Sequence, residues 1–398
     1  MGQLFFNNQS SDERKLYIQL LSITGSLSNL FTVSENPFLY YRLMENIFCK
    51  AFNANNFSRS DISADAGKDR LGIGLKTFLH NNGATFQKIA EFNRESYLFK
   101  GLSPKALISK VSDMRNERIL ATMRMCSLED MIYHVITRKE RYMGIFEEHM
   151  DLIDTSSIKI LEKKATIIRF TDNQHEYTFN LSKSTLLKRF FTKEKDLVYG
   201  FNINILKDPF EFLLSSNSKK YKKEINFQDI FENNNILEKN IVDYIILPLY
   251  SSRDKNVPQR SGLNQWNAGG RKRAENEVYI PIPSWIHVYK PNFFPYNNIE
   301  HKTNPFSVVL PNKKVLSVRV TQEGGKALMS NPNQDLGRWI LRDVLRVSKG
   351  ELVTKETLDV IGIDSVQLSK LKDGTFTLDF LKTGSFEEFY DKYRASLY

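Results

Sequence analysis

The sequence predicts an α+β protein built from two domains. At 398 residues the chain exceeds the ~100 to 200 residues of a typical single domain. Helical and strand patterns alternate in the first half, whereas strand patterns dominate the second half. The polar, basic segment 215–223, SSNSKKYKK, separates the halves and has the composition of a linker. We therefore expect one domain over residues 1–235 and a second over residues 236–398.

In the first half, an Asn-Pro pair at 36–37 predicts the start of a helix, because asparagine favours the N-cap and proline the first helical position. Strands are predicted within 61–76, and a helix over 85–97. Alternating apolar residues on both sides of a turn at 172–173 predict a hairpin. These elements suit a mixed sheet flanked by helices.

The second half is predicted to be a small barrel-like domain, because short strand patterns are spread along it and interrupted by two helical stretches. The predicted strands cover 245–249, 278–282, 315–320 and 375–380, and the helices 336–345 and 355–360.

Composition narrows the class of protein. The formal net charge of +10 favours a polyanionic partner, and nucleic acid is the leading one. Two cysteines are too few for a disulfide framework or a four-cysteine zinc site. Neither a secretory signal nor an apolar run of ~20 residues is evident in the sequence. We therefore expect a cytoplasmic protein without a membrane partner.

The segment 61–78, DISADAGKDRLGIGLKTF, carries the chemistry of the first half. Ten residues separate Asp65 from Lys76, which ends an apolar strand. This pattern resembles the PD-(D/E)XK nuclease superfamily over about residues 35–195, in which an acid on one strand and a lysine on the next meet over the scissile phosphate. The resemblance implies Mg²⁺ bound by Asp65 and the main-chain carbonyl of Leu75, with Lys76 as the catalytic lysine. Oxygen ligands suit this hard cation.

The sequence departs from that family where a second acid is expected, two residues before the lysine, because Gly74 stands there. Some restriction enzymes of the superfamily move this acid to the following helix. Glu91 in the predicted helix 85–97 is our first choice for it, with Gln87 one turn earlier on the same side.

Other acids stay open. Glu45 lies between Tyr41 and Phe48 on the flank of an apolar helical face, and similar nucleases often carry a glutamate on the helix before the first catalytic strand. Asp61 and Asp69 are alternatives to Asp65.

A helix start predicted in 181–191 offers hydroxyl and basic side chains, among them Lys183 and Ser184, that suit phosphate oxygens. None of the six histidines is followed two residues later by lysine, which excludes a phospholipase-D-type nuclease site.

Two long strings in the second half, SGLNQWNAGGRKRAENEVYIPIP at 261–283 and QEGGKALMSNPNQDLGRWILRDVL at 322–345, resemble the C-terminal domain of the NgoFVII and BfiI type of restriction endonucleases. The similarity spans about residues 240–385. It implies a DNA-binding pseudobarrel that grips one face of the duplex with two loops.

Both loops have suitable chemistry. The segment 253–273 holds six basic residues against one acid, and arginine, asparagine and glutamine are the side chains that pair with base edges. The predicted DNA contacts of the first loop are Arg260, Ser261, Asn264, Gln265, Trp266, Arg271 and Arg273. Those of the second loop are Lys326, Ser330, Asn331 and Asn333.

Together these features predict a type II restriction endonuclease, which hydrolyses double-stranded DNA with Mg²⁺ and leaves 5′-phosphates. We expect a cognate DNA methyltransferase in the same system, and a monomer or a homodimer. A fragment of residues 236–398 should fold alone. The alternative is a non-catalytic, sequence-specific DNA-binding protein with a degenerate nuclease domain, which the glycine at position 74 favours.

Overall fold

The computed structural model describes residues 4–57, 62–220, 241–294, 299–300 and 302–395. The chain forms two compact units. The N-terminal unit comprises residues 1–59, 63–116 and 128–235, and the C-terminal unit comprises residues 60–62, 117–127 and 236–398. None of the helices in the described ranges combines the length and the apolar character that crossing a bilayer requires.

The N-terminal unit begins with two helices, α1 (Ser11–Ser26) and α2 (Tyr41–Phe52). The predicted helix start at 36–37 is wrong, because α2 begins only at Tyr41. The segment before it is held outside the helix: the Phe38 N–H donates to Ser28 Oγ (2.7 Å), and Arg138 Nη1 donates to the Pro37 carbonyl (3.1 Å). Tertiary hydrogen bonds thus override the local helix-start signal.

The described part of this unit contains eleven strands: β1 (Asn55–Asn56), β2 (Ala66–Lys68), β3 (Leu71–Leu79), β4 (Ala84–Glu91), β5 (Asp130–Lys139), β6 (Tyr142–His149), β7 (Lys159–Lys163), β8 (Ile167–Thr171), β9 (Glu176–Asn180), β10 (Thr185–Phe191) and β11 (Tyr199–Asn202). Two further helices are α3 (Pro104–Cys126) and α4 (Pro209–Lys220). The strands form a six-stranded sheet in the order β1-β2-β3-β5-β6-β11 and a five-stranded sheet in the order β4-β10-β9-β8-β7.

The six-stranded sheet is mixed, because β3 and β5 run parallel while the other neighbours are antiparallel. A parallel pair needs a crossover connection, and α3 lies in it. Strands β2 and β3 confirm the prediction of strands in this segment, and β8 with β9 confirms the predicted hairpin.

The predicted helix over 85–97 is wrong. These residues form strand β4, and a short 3₁₀ turn follows at Ser96–Leu98. Antiparallel pairing with the whole of β10 decides the conformation. The predicted helix start in 181–191 is also wrong, because β10 is a strand.

Helix α2 packs against one face of the six-stranded sheet. The buried cluster on this face includes Met44, Ile47, Phe48, Ile73, Leu75, Ile132 and Ile136.

A polar network is buried in the same core. His134 Nδ1 lies 2.8 Å from Glu147 Oε1, and its Nε2 lies 3.0 Å from Tyr17 Oη. Glu147 also accepts hydrogen bonds from the backbone N–H groups of Phe5 (2.9 Å) and Phe6 (3.0 Å). The network ties the N-terminal segment to the sheet.

The described strands of the C-terminal unit are β12 (Ile241–Pro248), β13 (Ile280–Pro281), β14 (Phe306–Val309), β15 (Val315–Thr321), β16 (Ala327–Ser330), β17 (Ile363–Leu371) and β18 (Phe376–Lys382). The helices in its described residues are α5 (Ser284–Tyr289), α6 (Asp335–Gly337), which continues as a π-helix over Arg338–Val344, α7 (Lys355–Ile361) and α8 (Ser385–Ala395).

One seven-stranded sheet in the order β12-β17-β18-β14-β15-β16-β13 forms the body of this unit. Its two end strands, β12 and β13, approach each other, so that the sheet nearly closes into a barrel. The predicted strands and both predicted helices of this half are confirmed.

The end of α3 belongs to the core of the C-terminal unit. Ala121 and Met125 are almost completely buried in that core, and Arg124 Nε donates to the Val344 carbonyl (2.7 Å). A fragment of residues 236–398 lacks these groups. We therefore no longer expect it to fold as stably as the same unit in the full chain.

Truncation of Met125 tests this assignment. We expect Met125→Ala to destabilise the C-terminal unit by ~2 to 5 kcal/mol, the range for large-to-small core changes. All three tryptophans lie within residues 236–398, so tryptophan fluorescence during urea unfolding reports on this unit. The control is Met150→Ala, a similar truncation of a buried methionine in the N-terminal unit. It should leave the urea midpoint of the tryptophan fluorescence transition unchanged. Equal shifts in both variants would contradict the assignment.

Candidate functional site

The candidate site lies beside β3, at the point where its neighbour β2 begins. Asp65 directly precedes β2, and its backbone N–H donates to the Ile73 carbonyl (2.9 Å). Its carboxylate Oδ2 accepts a hydrogen bond from the Leu75 backbone N–H (2.7 Å). The side chain thus accepts the hydrogen bond that a backbone carbonyl of a longer β2 would accept. This fixes the carboxylate beside the strand that carries Lys76.

Glu45 brings a second carboxylate to the site from α2. Its side chain is 8% exposed, and its Oε2 lies 2.8 Å from Arg42 Nη1. Burial raises the pKa of Glu45 to about 7, and the nearby charge of Asp65 contributes to this increase. The cations of Arg42 and Lys76 act in the opposite direction. Glu45, Asp65 and Lys76 therefore lie within electrostatic reach of one another.

Asp65 has the same electrostatic character. Burial raises the pKa of its carboxyl group, while Lys76, the Leu75 N–H and Arg42 oppose the increase. Two carboxylates that burial makes costly to ionise are thus held by two cations and one backbone donor. Such clusters of perturbed acids are typical of functional sites.

Cys49 lies one helical turn after Glu45. Burial raises the pKa of its thiol to about 12, and the charges of Glu45 and Asp65 contribute. The thiol therefore stays protonated at neutral pH, which does not suit a nucleophile or a metal ligand.

Gly74 leaves no room for the acid that the sequence pattern lacks. A Cβ atom at this position would lie 2.6 Å from Met150 Cε and 3.2 Å from the Tyr133 ring. The side chains of Met150 and Tyr133 therefore fill the space that a second acid at this position would need. Within the described ranges, His, Cys, Asp and Glu side chains form no group of three or more that could hold a metal ion.

The structure corrects our first choice of second acid. Glu91 ends strand β4 in the five-stranded sheet, where its side chain is 45% exposed and pairs with Lys88 (3.0 Å). Gln87 lies on the same strand and donates to Thr85 Oγ1 (3.2 Å). The helix on which both assignments depended does not exist. Glu45 is the acid that the fold brings to Asp65.

The alternatives to Asp65 are not at the site. Asp69 is exposed and has a φ of 49°, and Arg70 follows with a φ of 65°. These two residues form the turn between β2 and β3. Asp61 lies outside the described residues.

The predicted phosphate contacts at 183–184 also need correction. Lys183 and Ser184 lie in the turn between β9 and β10, and Ser184 is buried with a φ of 44°. The Lys183 N–H donates to Asn180 Oδ1 (3.0 Å). Since no helix begins here, the phosphate site expected at a helix N-terminus is absent from this segment.

In the C-terminal unit, three residues of the first predicted loop are structural. Asn264 is fully buried, donates to the carbonyls of Pro258 (3.0 Å) and Val353 (2.8 Å), and accepts from the Val353 N–H (2.9 Å). Gln265 is buried, and Trp266 packs against the core. The predicted base contacts of Asn264 and Gln265 do not fit this burial, whereas Trp266 is half-buried.

Other members of this loop are accessible. Arg260 is exposed and Ser261 is half-buried. The Arg271 side chain is 56% exposed, and its guanidinium forms an ion pair with the buried Glu277, with 3.2 Å between Nη1 and Oε2. Glu277 thus orients the guanidinium of Arg271, and the rest of the Arg271 side chain faces solvent.

Arg273 closes the loop on itself. Its Nη1 donates to the carbonyls of Ala268 (2.8 Å) and Gly269 (2.9 Å), and only 17% of its side chain is exposed. A base contact by Arg273 would require these hydrogen bonds to break. We therefore assign Arg273 a structural role, in which it holds the conformation of the loop.

The second predicted loop also contains both structural and accessible residues. Ser330 is buried, and its Oγ accepts from the Leu336 N–H (2.9 Å), so it is structural. Lys326 is exposed, whereas Asn331 and Asn333 are half-buried.

A cleft of about 330 Å³ joins the two loops. It is lined by Arg271, Glu300, Lys302, Arg319, Thr321, Met329, Ser330 and Asn333. Arg319, Lys302 and Glu300 are not among the residues predicted from the sequence. Arg319 stands between the buried Val318 and Val320 on β15, so the alternation of the strand directs it outward. A basic residue at an outward strand position was the signal that could have identified it.

Comparison with known families bears on this unit. Residues 236–372 match the NgoFVII C-terminal B3-like DNA-binding domain. This match confirms the resemblance of the C-terminal half and covers about a third of the chain. It supports double-stranded DNA as the partner and sequence-specific recognition as the role of this unit. No curated protein matches the chain.

The buried Glu45 predicts a pH-dependent stability. A raised pKa in the folded state means that the unfolded state loses its proton first, so stability falls as the pH rises from about 4.5 to about 7. In EDTA, Glu45→Gln should remove this loss and stabilise α2 and β3 at pH 8 by up to ~3 kcal/mol, with little effect at pH 4.5. Hydrogen exchange of peptides from these elements measures the difference. Glu91→Gln, at an exposed acid, is the control, and a gain that is equal at both pH values would contradict the burial argument.

Proposed function

We propose that the chain is a Mg²⁺-dependent type II restriction endonuclease. The C-terminal unit selects a sequence on double-stranded DNA, and the N-terminal unit hydrolyses a phosphodiester bond and leaves a 5′-phosphate. The observation that carries this proposal is the meeting of Glu45, Asp65 and Lys76 at one edge of β3. These three residues come from three separate parts of the sequence.

The architecture supports the nuclease assignment. Asp65 immediately precedes β2 and Lys76 lies on β3, its antiparallel neighbour, within a mixed sheet packed against helices. An acid beside one strand and a lysine on the next is the arrangement that the resemblance to the PD-(D/E)XK nucleases implies. The departure at Gly74 is compensated by Glu45.

The donor set fits a hard divalent cation. The carboxylates of Glu45 and Asp65 and the main-chain carbonyl of Leu75 are oxygen ligands, and water and a DNA phosphate oxygen would complete the coordination. When bound, Mg²⁺ supplies Lewis acidity at the phosphate and lowers the pKa of a bound water. Lys76 orients the attacking water and stabilises the negative charge that develops on the phosphate.

The cleft of the C-terminal unit has the chemistry of base readout. Arg319 and Arg271 offer the planar donor groups that pair with guanine, and Asn333 offers the amide that pairs with adenine. Lys302 suits a backbone phosphate. As an acid among these cations, Glu300 suits the exocyclic amine of cytosine.

A partner protein and an oligomeric state complete the proposal. A restriction enzyme requires protection of the host DNA, so a cognate DNA methyltransferase belongs to the same system. The enzyme acts as a monomer or a homodimer.

A second candidate function is sequence-specific DNA binding without cleavage. Gly74 favours it, and so does the presence of only two carboxylates at the site among the residues that the structure describes. Magnesium-dependent cleavage of plasmid DNA of mixed sequence separates the two functions.

The catalytic assignment predicts the result of three substitutions. Glu45→Gln, Asp65→Asn and Lys76→Ala should each reduce cleavage by at least ~100-fold, because each removes a ligand or a charge that acts on the reacting phosphate. DNA affinity should stay within a few-fold of the wild type. Plasmid nicking and linearisation on gels measure the rates, and mobility shifts in Ca²⁺ measure the affinity. Glu91→Gln should cleave at the wild-type rate, and an inactive Glu91→Gln beside an active Glu45→Gln would reverse our assignment.

The reading cleft predicts a loss of specificity. Arg319→Ala should cost ~1 to 3 kcal/mol on the cognate duplex and less on a scrambled one, because a lost bidentate base contact penalises only the cognate sequence. Competition mobility shifts with the two duplexes give the ratio. Arg394→Ala on α8 removes the same charge outside the residues that line the cleft and serves as the control. An equal weakening of both duplexes by Arg319→Ala, with a smaller salt slope, would assign Arg319 to phosphate instead.

A further inference from the structure

Arg42 reaches the two-carboxylate site from the solvent side. It lies one helical turn before Glu45 on α2, with 2.8 Å between its Nη1 and Glu45 Oε2. The Arg42 side chain is 45% exposed, whereas that of Glu45 is 8% exposed. The guanidinium therefore enters from the surface and covers the buried carboxylate.

The charge of Arg42 acts on both acids. It favours the ionised form of Glu45 and also that of Asp65, and Lys76 acts on the same two groups. Buried carboxylates need such counter-charges, because water no longer solvates them. Arg42 thus provides part of the positive charge that a divalent cation would provide at the same oxygens.

We propose that Arg42 is a resident counter-ion, which a divalent cation displaces from Glu45 and a DNA phosphate then binds. The inference rests on the proposed nuclease function and concerns the order of events at its site. A divalent cation on the oxygens of Glu45 and Asp65 would lie within a few ångströms of the guanidinium. Coulomb repulsion at that distance is strong even near a protein surface.

The released guanidinium has a suitable partner. The planar fork of arginine binds phosphate oxygens bidentately, and DNA brings a phosphate to this edge of β3. The centroid of the Tyr41 ring lies 5.7 Å from Arg42 Cζ. A cation–π contact with this ring can hold the guanidinium after it leaves Glu45. Divalent cation and DNA therefore bind cooperatively through Arg42, and each raises the affinity for the other.

The test measures Mn²⁺ binding rather than cleavage. Isothermal titration of Mn²⁺ alone into DNA-free, full-length protein at about pH 8.5, where Glu45 is ionised, compares wild type with Arg42→Gln. Removal of the competing charge should tighten Mn²⁺ binding roughly tenfold. Lys88→Gln breaks a comparable i,i+3 ion pair with Glu91 on β4 and should leave the Mn²⁺ affinity unchanged.

A second titration examines the coupling to DNA. In the Lys76→Ala background, which we expect to cut at least ~100-fold more slowly, a short duplex of mixed sequence should raise the Mn²⁺ affinity of the protein. The additional change Arg42→Gln should remove most of that increase. Arg42→Met keeps the apolar stem without the charge and replaces Arg42→Gln if far-ultraviolet circular dichroism shows that Arg42→Gln is unfolded.

The outcomes separate this inference from the function on which it rests. Unchanged or weaker Mn²⁺ binding by Arg42→Gln, beside clear binding by the wild type, would overturn the counter-ion role and leave Arg42 as a residue that only positions Glu45. If wild type binds no more Mn²⁺ than Asp65→Asn does, the proposed metal site itself fails, and this inference fails with it.

Discussion

The hydrogen bond from the Leu75 N–H to Asp65 Oδ2 determines the geometry of the N-terminal site. Strand β2 is three residues long and begins at Ala66, so the Leu75 N–H of the antiparallel strand β3 lies beyond the start of β2 and lacks a strand partner there. The Asp65 carboxylate takes the place of the missing strand. The same bond holds the carboxylate at a fixed distance from the strand that carries Lys76. The remaining charges, on Arg42 and Glu45, are arranged around this fixed point.

Two buried glutamates of the N-terminal unit differ in their partners, and this difference supports the functional role that we propose for Glu45. Glu147 accepts from two backbone N–H groups and contacts His134, so a complete set of protein donors satisfies it. Glu45 has one guanidinium that is itself half-exposed, and its pKa is raised to about 7. A buried acid with so incomplete a set of partners costs stability. Proteins retain such costs where a ligand completes the set.

In the C-terminal unit the same residue types serve both structure and recognition. Asn264 joins two loops through three backbone hydrogen bonds, and Glu277 orients Arg271 from below. The surface that we propose for DNA is therefore narrower than the two loops, and it includes Arg319 on β15, which lines the cleft. The near-closed sheet makes this possible, because every second residue of a barrel strand must face outward.

The sequence alone determined the division into an α+β half and a β-rich half, the strands around Asp65 and Lys76, and the DNA-binding character of about residues 240–385, where the family match covers residues 236–372. The first two depend on local periodicity and spacing, which a linear chain displays directly, and the third depends on the resemblance of two long strings to a known DNA-binding domain. Only the tertiary structure decided that 84–91 is a strand, that Glu45 rather than Glu91 meets Asp65, that Asn264 is buried while Arg319 is exposed to the cleft, and that 117–127 completes the C-terminal core. The reason is physical: strand pairing, burial and charge partners depend on groups far apart in sequence, and the local pattern around each residue is compatible with either outcome.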